Sequence, residues 1–135
     1  MEIVIVIVVL AIIFSYALPK FSKILDSSNI LKLKSDISLI KSALKDIKVD
    51  NSLTNVNKII YLDDARINQK DEKLFSNILN STAILSTNSI EKKSGYWAKI
   101  SNSSYIFYLK NKELEFSLVD DDFVCISQDE LCEEL

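Results

Sequence analysis

Residues 3–18 read IVIVIVVLAIIFSYAL, sixteen positions without a charge. This run constrains the fold more than any other feature, because a segment so apolar needs lipid or other apolar segments around it. Three conformations compete for it. Its Ile and Val favour β structure by propensity, yet most strands are shorter than about ten residues. In lipid, a lone segment satisfies its own backbone hydrogen bonds only as a helix. As a helix the run rises roughly 24 Å at about 1.5 Å per residue, a little short of a hydrocarbon core of about 30 Å that about 20 residues fill. The third reading is a secretory signal, since Ser15-Tyr16-Ala17 has the small-x-small form of a cleavage site. Against it, Glu2 stands where a signal carries Lys or Arg, and Pro19 would fall just after the cut.

The flanks of the run carry the next information. A carboxylate at the centre of a membrane helix costs on the order of 2.5–3.5 kcal/mol and less near the interface. From spacing alone Glu2 sits at the headgroup level; buried, it needs a cationic partner. Lys20 and Lys23 follow the run and nothing basic precedes it. Taken alone, that asymmetry puts the C-terminal part in the cytoplasm by the positive-inside rule.

Beyond Pro19 the pattern is helical. Ile30, Leu33, Ile37, Ile40, Leu44 and Ile47 recur at spacings of three and four, and Lys32, Lys34, Asp36, Lys41, Lys45 and Lys48 are read as lying off that stripe. Neither Gly nor Pro interrupts residues 20–49, and Asp50-Asn51-Ser52 supplies a stop. Pro19 lacks an N–H and crowds the carbonyl of Ser15, so a kink or local melting is expected there. A helix over 2–48 would be roughly 70 Å long, too long for a compact domain of this size, so its first half must project. The stripe permits a coiled coil; packing on the sheet described next is preferred, because that sheet otherwise lacks a partner.

Residues 51–70 are rich in Asn, with a short apolar stretch at Ile59 to Leu62. Residues 71–80, DEKLFSNILN, read as a short helix with Leu74, Phe75, Ile78 and Leu79 on its apolar face. From Gly95 the period becomes two: strands are expected at 96–100, 105–109, 114–118 and 123–126. Their short connections favour an antiparallel meander, with its apolar face over the helix stripe. The aromatics on these strands are read as core rather than as a stacking surface for sugars or bases.

The chain has no His, one Gly and one Pro among 135 residues, with 16 Lys+Arg against 19 Asp+Glu. Missing His removes the commonest general base and metal ligand. A single Gly excludes the Gly-rich phosphate loops, and a net charge of −3 speaks against direct nucleic-acid binding. No enzymatic constellation, metal site or cofactor is expected; Lys99 and Ser103 could be nominated only arbitrarily. Cys125 and Cys132 are not a C-x-x-C pair, and without His they cannot complete a zinc site unless carboxylates join them. A disulfide is the expected use, which favours an oxidising compartment.

Glu2, the uncharged run, and then Ala17-Leu18-Pro19-Lys20-Phe21 resemble the N-terminal signature of type IV pilins and type II secretion pseudopilins. The likeness covers about the first 25 residues and fixes a charge, an apolar span, a proline and their register together. It implies a pilin-like α+β fold: a long N-terminal helix, its first half projecting and its second half amphipathic, packed on a small antiparallel sheet. The expected divisions are 1–19 for the membrane and filament-core half, 20–49 for the amphipathic half, and 50–135 for a head closed by a C-terminal disulfide loop.

Family members also carry a basic leader ending in Gly, and an aromatic residue with three more before the Glu, where this sequence has Met1 alone. Restoring such residues would lengthen the span to near 20 and reverse the charge asymmetry. The resemblance thereby implies prepilin peptidase as a partner if a leader lies upstream, and an inner-membrane protein with a periplasmic head. It further implies an assembly platform and other subunits as partners, with Glu2 neutralising a neighbour's N-terminal amine. Pilins often staple their C-terminal region, in keeping with Cys125 and Cys132. Some pseudopilins hold calcium in a loop near the C-terminus. Asp120-Asp121-Asp122 offers oxygen ligands but no EF-hand spacing, so a solvated acidic turn is expected. Asn80-Ser81-Thr82 and Asn102-Ser103-Ser104 match a glycosylation triplet that is frequent by chance in such a sequence. The rival function is a periplasmic binding module released by cleavage near Ala17.

Overall fold

A computed structural model describes residues 1–54, 61–80 and 82–135. Ile59, Ile60 and Ser81, on which parts of the apolar-stretch and glycosylation readings fall, lie outside them. One helix, α1 (Glu2–Thr54), leads into a small sheet domain, an α+β arrangement. The strands are β1 (Lys73–Leu74), β2 (Ile84–Leu85), β3 (Trp97–Lys99), β4 (Ser104–Tyr108), β5 (Glu113–Val119) and β6 (Asp122–Cys125), followed by a one-turn helix α2 (Glu130–Glu133). The sheet β3-β4-β5-β6 is the expected antiparallel meander, with Phe107 opposite Leu114 and Phe116 opposite Cys125.

α1 stays helical through Pro19, so the chain does not melt there. It also continues past the expected stop. Ser52 Oγ and Thr54 Oγ1 each donate 2.9 Å back to the carbonyls of Lys48 and Asp50, the bond that Ser and Thr make when they sit inside a helix.

The core lies between the middle of α1 and one face of the sheet. Leu33, Ile37, Ile40 and Leu44 form a single apolar cluster with Trp97, Tyr105, Phe107, Leu114, Phe116 and Phe123. Ile30 and Ile47, at the ends of the stripe, are half-buried. Alternation on β5 buries Leu114 and Phe116, as period two requires. Trp97 contacts Phe107 and Phe116 edge-on, with ring centroids 5.0 and 5.1 Å apart, the geometry aromatic quadrupoles favour.

Residues 71–80 are not the expected helix. Lys73–Leu74 is a strand paired with Ile84–Leu85, and Asp71 and Phe75 stand at φ 59° and 57°. A helix cannot pass through either conformation. Leu74, Phe75, Ile78 and Leu79 nevertheless enter the core as foreseen: the burial pattern is right and the backbone differs, because the Phe75 N–H is taken by Asp63 at 2.9 Å. The free edge of β3 is covered from this side. Ser86 bridges Trp97 in parallel, and Asn68 N and Thr87 N donate to the carbonyls of Lys99 and Trp97 at 2.8 and 2.7 Å, which removes an open sheet edge.

The β5–β6 hairpin closes through Asp120 and Asp121, both exposed and both at positive φ, 51° and 62°. Two left-handed residues make the tight turn whose twist matches its strands. The acidic triplet is thus a solvated hairpin turn, and among the described residues no acidic, His or Cys group is arranged to hold a metal ion.

Candidate assembly surface and the head that carries it

The first half of α1 is long and apolar enough to cross a membrane, and none of that segment is buried by the head. Ile3 is 75% exposed and Phe14 59%. A helical surface apolar on every side is not stable in water and requires lipid or neighbouring helices. Ser15 Oγ donates 2.8 Å to the Ala11 carbonyl, so the one hydroxyl between Glu2 and Tyr16 satisfies itself within the helix. Glu2 occupies the first turn, where a carboxylate complements the helix dipole. Among the described residues it has no ion-pair partner.

From Ser22 onward the head closes on α1. Lys110 donates to Ser22 Oγ, Asn29 Nδ2 to Ser94 Oγ at 3.1 Å and Lys32 Nζ to the Gly95 carbonyl at 2.5 Å. Gly95, at φ +82°, lets the loop lie against Asn29, whose amide would collide with any Cβ there. The C-terminal end closes the other flank. The Cys125–Cys132 disulfide, Cα atoms 5.5 Å apart, holds a segment whose Glu134 meets Lys34 at 2.9 Å and whose Leu135 carbonyl accepts from Lys41 at 3.0 Å. The ammonium of Lys34 holds the Glu134 carboxyl below its ordinary value. At Asp129 a backbone N–H from Leu131, joined by Lys112, does the same.

Two buried carboxylates carry no periodic signal of their own in the sequence. Asp36, read there as lying off the stripe, is buried and accepts from Trp97 Nε1 at 2.9 Å. Desolvation raises its pKa above the ordinary value, partly opposed by the indole bond and by Lys32. Its signal was its position, three residues after Leu33 and four before Ile40, beside a lone Trp that needs an acceptor. The second group is Asp63, wholly buried, with Lys99 Nζ at 2.7 Å. Tyr105 Oη, Phe75 N and Ala65 N complete its shell at 2.8, 2.9 and 3.1 Å. Burial, and then the neighbouring carboxylate, push the Tyr105 phenol far up. Lys99 is thereby committed to an ion pair, and Ser103 lies in the β3–β4 connection, where its carbonyl accepts from Leu118 N at 2.8 Å. The fold does not bring those two side chains into one site.

No family model, no curated protein and no solved structure matches the chain.

Proposed function

We propose that this chain is a pilin-like or pseudopilin structural subunit, of the minor kind, in a type IV pilus, type II secretion or DNA-uptake apparatus. The observation that carries the reading is the division of α1. One unbroken helix of 53 residues builds the head's core with its middle and leaves its apolar opening wholly outside that core. Such a segment has two natural surroundings, lipid before assembly and a bundle of like helices after it. The subunit would sit as a single-pass inner-membrane protein with its head in the periplasm, where the disulfide persists. It would then join other subunits through their N-terminal helices, at an inner-membrane assembly platform and after cleavage of an upstream leader by prepilin peptidase.

In the filament core Glu2 would neutralise the N-terminal amine of a neighbour. A buried, unpaired carboxylate is costly there and a paired one sets the register. Intact mass of the native protein and filament incorporation of Glu2→Ala and Glu2→Leu test the proposal together. The expected result is a mature chain that retains residues 3–18, and variants that insert in the membrane but enter filaments poorly. Loss of the apolar run from the mature chain refutes the subunit reading; normal incorporation of both variants refutes the role of Glu2.

A further inference from the structure

Lys20, Lys23 and Lys110 stand at one level around α1. Leu18 ends the apolar run. Lys20 and Lys23 follow it by roughly 3 and 7.5 Å along the helix axis, at about 1.5 Å per residue. Lys110 comes from the β4–β5 turn, yet its ammonium is bonded to Ser22 Oγ, which places it at roughly 6 Å. The phosphate-bearing layer outside a hydrocarbon core of about 30 Å is about 5–7 Å deep on each side, so all three fall in or at the edge of that layer. They also point different ways. Taking Ser22 as the head side, Lys23 is turned by about 100° and Lys20 by about 160° at 3.6 residues per turn.

All three are exposed, and among the described residues no carboxylate pairs with any of them. The other lysines at this end of the head are engaged: Lys92 with Glu113, Lys112 with Asp129, and Lys93 over the Tyr96 ring. Asp26, the nearest acid on the helix, is half-buried on the head side.

We propose that Lys20, Lys23 and Lys110 form a collar that binds the phosphates of anionic phospholipids and holds the head down on the bilayer surface. The inference rests on the membrane-spanning reading of α1. Two collar members belong to the helix and would flank any span, but Lys110 belongs to the sheet. It converts a flanking charge into a link between the head and the lipid surface. Its ammonium has three N–H donors and spends one on Ser22, leaving two for phosphate oxygens.

The test uses the full chain in phosphatidylcholine vesicles, and in vesicles of phosphatidylcholine mixed with phosphatidylglycerol, each with a trace of dansyl-headgroup lipid. Trp97, the one tryptophan, is the energy donor, and an alkaline wash scores insertion. The expected result is insertion in both, with more energy transfer in the anionic vesicles. That excess should vanish in about 1 M salt, where screening acts within about 3 Å. Lys110→Gln should lower the ratio of head-down to head-raised chains about fivefold, the effect of one lysine near an anionic surface, with near-UV dichroism unchanged; Lys20→Gln/Lys23→Gln/Lys110→Gln should abolish the excess. Equal transfer in both vesicle types, with the chain still inserted, overturns the collar and leaves the membrane reading standing. A chain that washes out of both overturns the two together.

Discussion

Lys99→Met probes the most deeply buried ion pair among the described residues. The ammonium and the Asp63 carboxylate are 2.7 Å apart, with side chains 5% and 0% exposed. Removing one member of such a pair leaves the other charge buried, a loss of about 3–5 kcal/mol. Here the remaining carboxylate keeps three donors, from Ala65 N, Phe75 N and Tyr105 Oη, which places the expected cost near the lower bound, about 3 kcal/mol. For a domain of this size each kcal/mol moves the midpoint by about 4 °C or more, so unfolding should fall by roughly 12 °C. Tyr105→Phe, which deletes one hydrogen bond to a charged acceptor, should cost less, about 1.5–3 kcal/mol. Asp63→Leu/Lys99→Met should not recover the loss, although apolar replacement of a buried pair is often neutral. The Ala65 and Phe75 N–H groups would lose their acceptor, at about 1–3 kcal/mol each. Urea unfolding in detergent, followed by Trp97 emission, measures all three. A Lys99→Met cost below about 1 kcal/mol, or a double variant as stable as the native chain, would show that this network does not hold the 61–75 segment on the sheet.

The other predictions concern the helix–sheet interface and its closures. Burial raises the Asp36 pKa above 3.8, so the folded chain binds that proton more tightly than the unfolded one; its contribution is greatest below 3.8 and declines as pH rises through the folded value. Asp36→Asn keeps an acceptor for Trp97 and sheds the buried charge. It should therefore raise the urea midpoint at about pH 7 and lose most of that advantage at about pH 3. Removing the Cys125–Cys132 bridge by Cys125→Ser/Cys132→Ser should cost about 2.5 kcal/mol from loop entropy, and should speed amide exchange between 126 and 135 first. Gly95→Ala meets both the positive φ and the Asn29 amide. It should cost about 1–2 kcal/mol for the left-handed backbone alone, more with the collision included, and Asn29→Ala in the same chain should return only the collision part.

The parts of the fold that the sequence displays are those set by period. The 114–118 alternation and the 33–44 stripe each have one buried face, and burial enforces the register that the pattern announces. Residues 71–80 also satisfy a helical pattern, but the Phe75 N–H is claimed by a carboxylate twelve residues upstream. A tertiary acceptor overrode local spacing, and no window of ten residues contains that competitor. Lys99 shows a half-legible case. Period two sets it on the same face as Trp97, so its burial follows from the strand; its partner Asp63, on a segment without periodicity, does not. Glu2 and the apolar run were legible as a surface needing cover, since sixteen uncharged residues exceed what this head can enclose.

The division of α1 has an energetic consequence that separates the proposed assembly from folding. The fully buried positions of α1 lie between Leu33 and Leu44, and the run at 3–18 contributes nothing to the head's cluster. Sites that share no contacts and lie this far apart act additively. Glu2→Leu should therefore unfold the head at the native urea concentration while changing how the chain associates. Lys99→Met should lower head stability yet leave membrane insertion intact. A shift of head unfolding in Glu2→Leu, measured on the monomer in detergent, would mean that the apolar half folds back on the sheet domain rather than projecting from it. The long helix would then be a core element throughout, and the case for assembly through that half would lose its physical basis.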